Sequence, residues 1–428
     1  MRKLPVISSD PQLNDRAARV CAKFGSEFEP VFLGSGDEAL EYLMYELPEI
    51  SVVNYSDPRI DMLAVLDAVK SDPWLHYGGL VAVHNRRDAK AAADVMPDSN
   101  ILSLIPRGEF VTGFFRVLRI LIQNRQIVFQ RELQTHLIGN ISGSFVMDSD
   151  PLNIRTYANL VSNFLFNSNY IDRDGRERLH VAIFEALMNA VEHGNCAISY
   201  DEKTVWLEKH GDILPLIRKK LQDPTIRKKR VFFSYRITPE RSFYTIRDEG
   251  NGFDWRKHLD GEPKPVNLSM HGHGIRMTNY YVDALSYNDP GNEVSFEMVH
   301  HADAANAVPA FFADQDEAVF EDGDTVFTQG EESNFLYYIV SGKLDVFTDG
   351  ALVSTLSPDD IFLGEMSFLL NNRRSATVKS NGRSSLIRIT KNAFVSTIKA
   401  KPHYGIFLAR LLANRLSRLN ASFARSRG

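Results

Sequence analysis

Cysteine is nearly absent from this chain: there are two, Cys21 and Cys196, in 428 residues. Two thiols exclude a disulfide framework and a cysteine-built metal cluster, and they fit a reducing cytoplasm. Long apolar runs are lacking too. The greasiest stretch, FVTGFFRVLRILI from Phe110, is broken by Arg116 and Arg119, which argues against a membrane span. The start, MRKLPVISSDP, has no apolar run of the kind a secretion signal needs. Nor does one sign of charge dominate. With 49 Lys and Arg against 54 Asp and Glu, the net charge of −5 gives no general pull toward nucleic acid. What remains, 44% hydrophobic and 24% charged, is the composition of a soluble globular protein. At ~150 residues per domain its length suggests about three domains.

Three patterns divide the chain. From Leu4 to about Pro106, apolar runs (LPVIS, ISVVNY, GLVAVH, ILSLIP) alternate with helical stretches, as in βα units around a parallel sheet. A long amphipathic stretch follows from Gly108 to about Ile138. Val111, Phe114, Leu118, Leu121 and Val128 stand near a/d spacing, and Arg125 and Glu132 interrupt the seam. A helical linker, a dimer helix and a core-packed helix all remain open. Residues 141 to 300 mix helices with strands such as RVFFSYRIT. From about 309, short strands and tight turns (EDGD, TQGEES, VSGK) read as a β-roll, closed by a helix bearing Leu408, Leu412, Leu416 and Leu419. The expected fold is multi-domain, α/β and α+β: 1–125, a helical linker at 126–140, 141–302 and 309–428.

Within FEALMNAVEHGN, Phe184, Leu187, Met188 and Val191 make an apolar stripe at helical spacing, and Glu185, Asn189 and His193 stack along its flank. Taken alone, that flank reads as solvated surface. Downstream, YTIRDEGNGFDW carries Asp248, Gly250 and Gly252, and SMHGHGIRM carries Gly272 and Gly274 before a helical pattern. One glycine-rich turn is weak evidence, but these motifs in this order resemble the N-box and G-boxes of the Bergerat-fold (GHKL) ATPases. With NDPGNEVSF they resemble more closely the anti-sigma-factor serine kinases of bacterial partner switching. That resemblance implies an α/β sandwich binding ATP and Mg²⁺. Asn189 would be the metal ligand, Asp248 the acceptor for the adenine amino group, and Gly250 and Gly252 the close approach to the base. Gly272 and Gly274 would open a lid over the phosphates, and Glu185 would be the general base. HGN reads equally as a helix end with Gly194 as its C-cap. The basic insert LIRKKLQDPTIRKKR is a solvated face or a dock for an acidic partner. His136, followed by Leu137, lacks the context of a phosphoacceptor histidine.

The run DIFLGEMSFLLNNRRSATV, with FTQGEESNFLYYIVSGKLDVF before it, resembles the phosphate-binding cassette and β-roll of cyclic-nucleotide-binding domains. By that resemblance Arg374 would pair with the cyclic phosphate and Glu365 would take the ribose 2′-hydroxyl. Gly364 would allow close approach, and amides around Met366 and Ser367 would face the phosphate. Ser375 would add a hydroxyl, and Ala376 would leave room. RSAT favours cAMP over cGMP. No helix-turn-helix follows, which argues against direct nucleic-acid binding.

The first segment resembles a flavodoxin-like receiver that has lost its chemistry. Asn54 stands where a receiver has its phosphoacceptor aspartate, Asp10 is the one acid kept in VISSDP, and Leu104 and Ile105 occupy the place of a lysine before Pro106. Asp57 is the nearest substitute acceptor. The implied role is a pseudo-receiver for docking or dimerisation. Taken together, the expectation is a cytoplasmic, cyclic-nucleotide-regulated serine/threonine kinase. It would act as a homodimer off the membrane, phosphorylate a small anti-anti-sigma-like protein and engage a sigma factor. The alternative is a nucleotide-gated protein that sequesters such a regulator without turnover.

Overall fold

The computed structural model describes residues 2–72, 75, 78–95, 99–124, 141–168, 170–238, 240–256, 274–300, 308–309, 312–406, 408–409, 411–413 and 416. Gly272, His136, Leu419 and the expected linker at 126–140 lie outside them. The chain forms two compact units, one joining Met1–Phe115 to Asp303–Gly428, the other including Arg116–Ile127 and Gln134–Ala302.

In the first unit, strands β1 (Arg2–Ile7), β2 (Phe28–Leu33), β3 (Ile50–Asn54), β4 (Gly79–His84) and β5 (Ile101–Pro106) form a parallel sheet in the order 2-1-3-4-5. Every residue of β3 and β4 is buried, which is why those strands read as unbroken apolar runs rather than alternating ones. Helices α1 (Pro11–Ala22), α2 (Gly36–Glu46), α3 (Met62–Lys70) and α4 (Ala89–Val95) connect the strands. Asp10, Ser35 and Asp61 cap the first three through backbone amides. Helix α5 (Phe110–Gln123) buries Phe110, Phe114, Val117, Leu118 and Leu121. Val111, expected in the seam, is instead 41% exposed, because the buried stripe is phased one residue earlier. Among the described residues no helix is long and apolar enough to cross a membrane.

The second unit holds an antiparallel sheet, β6 (Ile141–Asp148), β7 (Arg230–Ile237), β8 (Arg241–Arg247), β9 (Ala284–Tyr287) and β10 (Glu293–Val299), in the order 6-7-8-10-9. Its strands alternate, burying Phe145, Phe233, Tyr235, Tyr244, Ile246 and Phe296 on one face. Tyr157 of helix α6 (Ile154–Asn167) meets Phe145 edge-on at 4.9 Å, so α6 packs on that face. Helix α7 (Arg173–Asn189), capped by Asp172, buries Ile183, Ala186 and Leu187. Phe184 and Met188, expected at the centre of the buried stripe, are half-buried at its margin. After α7 come α8 (Tyr200–His210), α9 (Leu214–Lys220) and α10 (Pro224–Lys228), and later α11 (Gly274–Tyr281).

The carboxy-terminal part of the first unit is a β-roll of β11 (Asp316–Phe320), β12 (Thr325–Phe327), β13 (Phe335–Thr348), β14 (Ala351–Leu356), β15 (Phe362–Leu363) and β16 (Thr377–Thr390). It also carries helices α12 (Glu365–Leu370) and α13 (Lys391–Ala400). Strand β13 is buried on both faces: Leu336 and Tyr338 join one apolar cluster, Tyr337 and Ile339 the other. Beyond α13, His403 is fully buried and its Nε2 lies 2.7 Å from Oδ2 of Asp72, while Ile406 packs into the core that holds Leu66, Val69 and Leu75.

Candidate nucleotide sites

Helix α7 does not run on as an α-helix. At Ala190–Asn195 it widens into a π turn, a distortion often found at functional sites. The widening breaks the four-residue register: Glu185 and Asn189 stay half-buried on the flank, whereas His193 swings out and is exposed. His193 Nδ1 donates to the Ile198 carbonyl at 2.6 Å, and Glu192 and Asn195 turn inward, 1% and 0% exposed. Gly194 is not a left-handed C-cap, since its φ is not positive and the turn ends at Cys196. Its real constraint is space, because a Cβ there would collide with the carboxylate of Asp248.

Asp248 closes β8 and is buried. Its Oδ1 accepts from the Gly250 amide at 2.7 Å, and Oδ2 has no hydrogen-bond partner among the described residues. Burial pushes this carboxyl up to about 6, against the pull of the Gly250 amide and of Lys229. A Cβ on Gly250 would strike the Gly194 backbone, and one on Gly252, at φ +75°, would strike the Pro290 carbonyl. Both glycines therefore serve packing of backbone on backbone, whatever else approaches them. Gly291, at φ +78°, makes the reciprocal approach to Phe253. The NDPGN turn is organised by Asn288, whose Oδ1 accepts from the amides of Gly291, Asn292 and Glu293 at 2.9, 3.1 and 3.1 Å.

Asn195 was invisible to pattern reading yet holds this region together. Its Nδ2 donates to Ser149 Oγ at 2.9 Å and to the Arg230 carbonyl at 3.1 Å, and its Oδ1 accepts from the Glu249 amide at 2.9 Å. Glu185 and Asn189, by contrast, make no hydrogen bond to any described residue, which leaves a carboxyl and an amide oxygen free on one side of α7. Burial raises the Glu185 carboxyl, Lys203 lowers it and Glu192 raises it again. This donor set, an amide oxygen beside a carboxylate, suits a hard cation that takes most of its ligands from phosphate and water. Among the described residues no cluster of three or more His, Cys, Asp or Glu could hold a metal by itself. Gly274 begins α11.

In the β-roll, Arg374 is 3% exposed and lies over the Phe327 ring at 4.2 Å. Its terminal nitrogens donate to the Gly364 carbonyl (3.1 Å), Ser367 Oγ (3.2 Å) and the Phe335 carbonyl (2.6 Å), while Nε is buried without a partner. Among the described residues no carboxylate forms an ion pair with it, an unusual state for a buried guanidinium and one that an anion would relieve. Gly364 takes φ +78°, and a Cβ there would meet the Arg374 guanidinium. Glu365 and Ser367 are buried at the start of α12, Met366 is 58% exposed, Ser375 is exposed and Ala376 half-buried. Arg373 points outward to the Gly330 carbonyl at 2.8 Å.

The ends of β1 and β3 carry a third polar cluster. Asp57, 6% exposed, accepts from the Ser9 amide (2.7 Å), Ser9 Oγ (2.5 Å), Ser8 Oγ (3.3 Å), Asn54 Nδ2 (3.2 Å) and the Arg59 amide (3.0 Å). Burial alone would raise its carboxyl, but the bonds from Ser9, Arg59 and Ser8 hold it below the usual carboxylate value. Arg107, just after Pro106, forms an ion pair with Asp10. This cation lies two to three places beyond Leu104 and Ile105, the positions where the receiver pattern has its lysine.

Residues 147–298 match the model of the histidine kinase-like ATPase domain, and residues 317–401 that of the cyclic nucleotide-binding domain. The chain therefore joins an ATPase domain to a cyclic nucleotide-binding domain. Over 110 residues it is 33% identical to the CRP-like cAMP-activated global transcriptional regulator of Mycobacterium tuberculosis, covering 24% of this chain and 49% of that protein. Over 81 residues it is 37% identical to a cGMP-dependent protein kinase of Plasmodium berghei, covering 19% of this chain and 9% of that one. The chain thus spans from under a tenth to about half of these relatives' lengths. The catabolite activator protein of Thermus thermophilus aligns with 27% of this chain and 55% of its own, at 26% identity and a TM-score of 0.25.

Proposed function

We propose that this protein is a cyclic-nucleotide-regulated, ATP-dependent serine/threonine kinase of the anti-sigma-factor type, acting on a small anti-anti-sigma-like partner. The observation that carries the reading is Glu185. Its carboxyl is half-buried, raised by that burial above the ordinary carboxylate value, free of hydrogen bonds among the described residues, and one helical turn from the amide of Asn189. Simple sequestration of a partner does not need a base there. In this reading Asp248 Oδ2 accepts the adenine amino proton, and Gly194, Gly250 and Gly252 shape the floor beneath the base. Gly274 would lie at the phosphate end of the site, as the resemblance implies for Gly272, which is outside the described residues, and Asn189 would hold Mg²⁺. Bound Mg²⁺ would supply positive charge to the phosphate oxygens. The partner's serine oxygen forms its bond to the γ-phosphorus as the bond to the ADP oxygen breaks, and Glu185 takes the hydroxyl proton.

The signal site is the β-roll. Arg374 Nε and its unpaired charge face the cyclic phosphate, Glu365 takes the 2′-hydroxyl, and Gly364, Met366, Ser367, Ser375 and Ala376 complete the cradle. The relative named as cAMP-activated supports cAMP as the ligand. The amino-terminal sheet has the 2-1-3-4-5 order of flavodoxin-like receivers, and its role here is docking or dimerisation as a pseudo-receiver.

Phosphotransfer from labelled ATP to small proteins that co-purify with the chain tests the reading. Glu185→Gln should lower transfer roughly 10²–10⁴-fold and leave ATP affinity within a few-fold, whereas Asn189→Ala should weaken Mg-ATP binding and turnover together. Wild-type rates in Glu185→Gln would return the protein to the sequestering alternative.

A further inference from the structure

Helices α8, α9 and α10 stand between the π turn and β7, and their basic residues are not all on the surface. Glu192, the third residue of the π turn, is buried to 2% of its side chain, and Lys203 Nζ lies 2.5 Å from its Oε2. A carboxylate so enclosed persists as a charge only beside a partner. The approach of α8 is fixed locally. Ile198 N donates to the Glu192 carbonyl at 2.9 Å, and His193 Nδ1 donates to the Ile198 carbonyl, so the chain doubles back over the turn. Ser199 then caps α8 through the Glu202 amide at 3.1 Å. Glu202, the residue before Lys203, forms an ion pair with Lys220 at 3.0 Å, which ties α8 to α9.

We propose that Lys203 is a positioning residue for phosphotransfer: by pinning Glu192 it holds the π turn, and with it the end of α7 that presents Glu185 and Asn189, in one geometry. The inference rests on the kinase reading above. Two observations support it. The ion pair clamps the one segment where α7 departs from helical geometry, three residues past Asn189. Lys203 also stands close enough to Glu185 to act on its charge, opposing both burial and the like charge of Glu192. Without the ammonium, burial and the like charge of Glu192 would act on Glu185 with no opposing cation among the described residues. Lys203 touches neither nucleotide nor partner in this scheme and acts only through the placement of Glu185 and Asn189.

The test compares Lys203→Met, Lys203→Arg and Glu192→Gln with the wild type in the full chain, reading kcat, KM for ATP and thermal unfolding. Lys203→Met and Glu192→Gln should each lower kcat by about tenfold or more and raise KM for ATP, because Glu185 and Asn189 lose their placement together. Lys203→Arg, which keeps the charge and can still reach Glu192, should recover most of the rate. A lowered melting temperature with unchanged kcat at a temperature where the chain is folded would overturn the positioning role and leave a structural ion pair. Equal losses in the Met and Arg variants would overturn it too. If the wild type transfers no phosphate, the kinase reading fails and the positioning falls with it. An active wild type beside an equally active Lys203→Met removes the positioning alone.

Discussion

Asp248 illustrates how one residue's burial becomes a measurable dependence on pH. Its carboxyl, normally at 3.8, is raised to about 6 by burial. In the proposed site the ionised carboxylate accepts a hydrogen bond from the adenine amino group, so binding below that value requires loss of a proton first. The sign follows: ATP affinity should fall by about tenfold per pH unit as the pH drops below 6, and level off above it. Calorimetry from pH 5 to 8 on wild type and Asp248→Asn gives the test, because subtracting the two removes the titration of the nucleotide's own phosphates. The same slope in both proteins would rule Asp248 out as the base acceptor. Two neighbouring residues set the limits of reading such a site from sequence. The motif residues Glu185, Asn189, Asp248 and the glycines were all legible as a pattern. Asn195 was not, because a buried amide that joins Ser149, Arg230 and Glu249 leaves no periodic trace; its partners are 46, 35 and 54 residues away.

Among elements, the parallel sheet was the most legible, because strands buried on both faces write themselves as apolar runs. The β-roll was legible through its turns. The π turn could not be read, since one extra residue in a helical turn alters no residue type; it altered instead which side chains face inward, moving His193 out and Glu192 in. The receiver-like element supports its own prediction. Asn54 is an amide, and the carboxylate beside it, Asp57, already accepts five hydrogen bonds. Both oxygens are committed, so Asp57 cannot take a phosphoryl group without giving these bonds up, at about 0.5–1.5 kcal/mol each. Acetyl phosphate with Mg²⁺ should therefore leave no acid-labile phosphate on residues 1–125. A mass spectrum carrying a phosphate on Asp57 would refute this account.

For the molecule as a whole, two nucleotide sites of different chemistry imply that each can be silenced separately. Arg374 is buried, its Nε lacks a partner, and Gly364 is excluded from any other residue by its guanidinium. Arg374→Ala should weaken cyclic-nucleotide binding by about 2–5 kcal/mol, the loss of a buried charge partner. ATP affinity, measured on the same preparation, should stay within a few-fold. An unchanged cyclic-nucleotide isotherm would sink the assignment of the signal site.

The contact between His403 and Asp72 bears on how mutations of this gene would act. The first unit is assembled from the two ends of the chain, with Asp72 and the core around Leu75 completed by His403 and Ile406. A nonsense codon between residues 303 and 403 would look, on a linear map, like the clean loss of a carboxy-terminal sensor. In the folded protein it would also strip the cover from a carboxylate and an apolar core more than three hundred residues upstream. Such truncations should then behave as misfolding alleles, cleared by quality-control proteases, rather than as signal-blind forms of the protein.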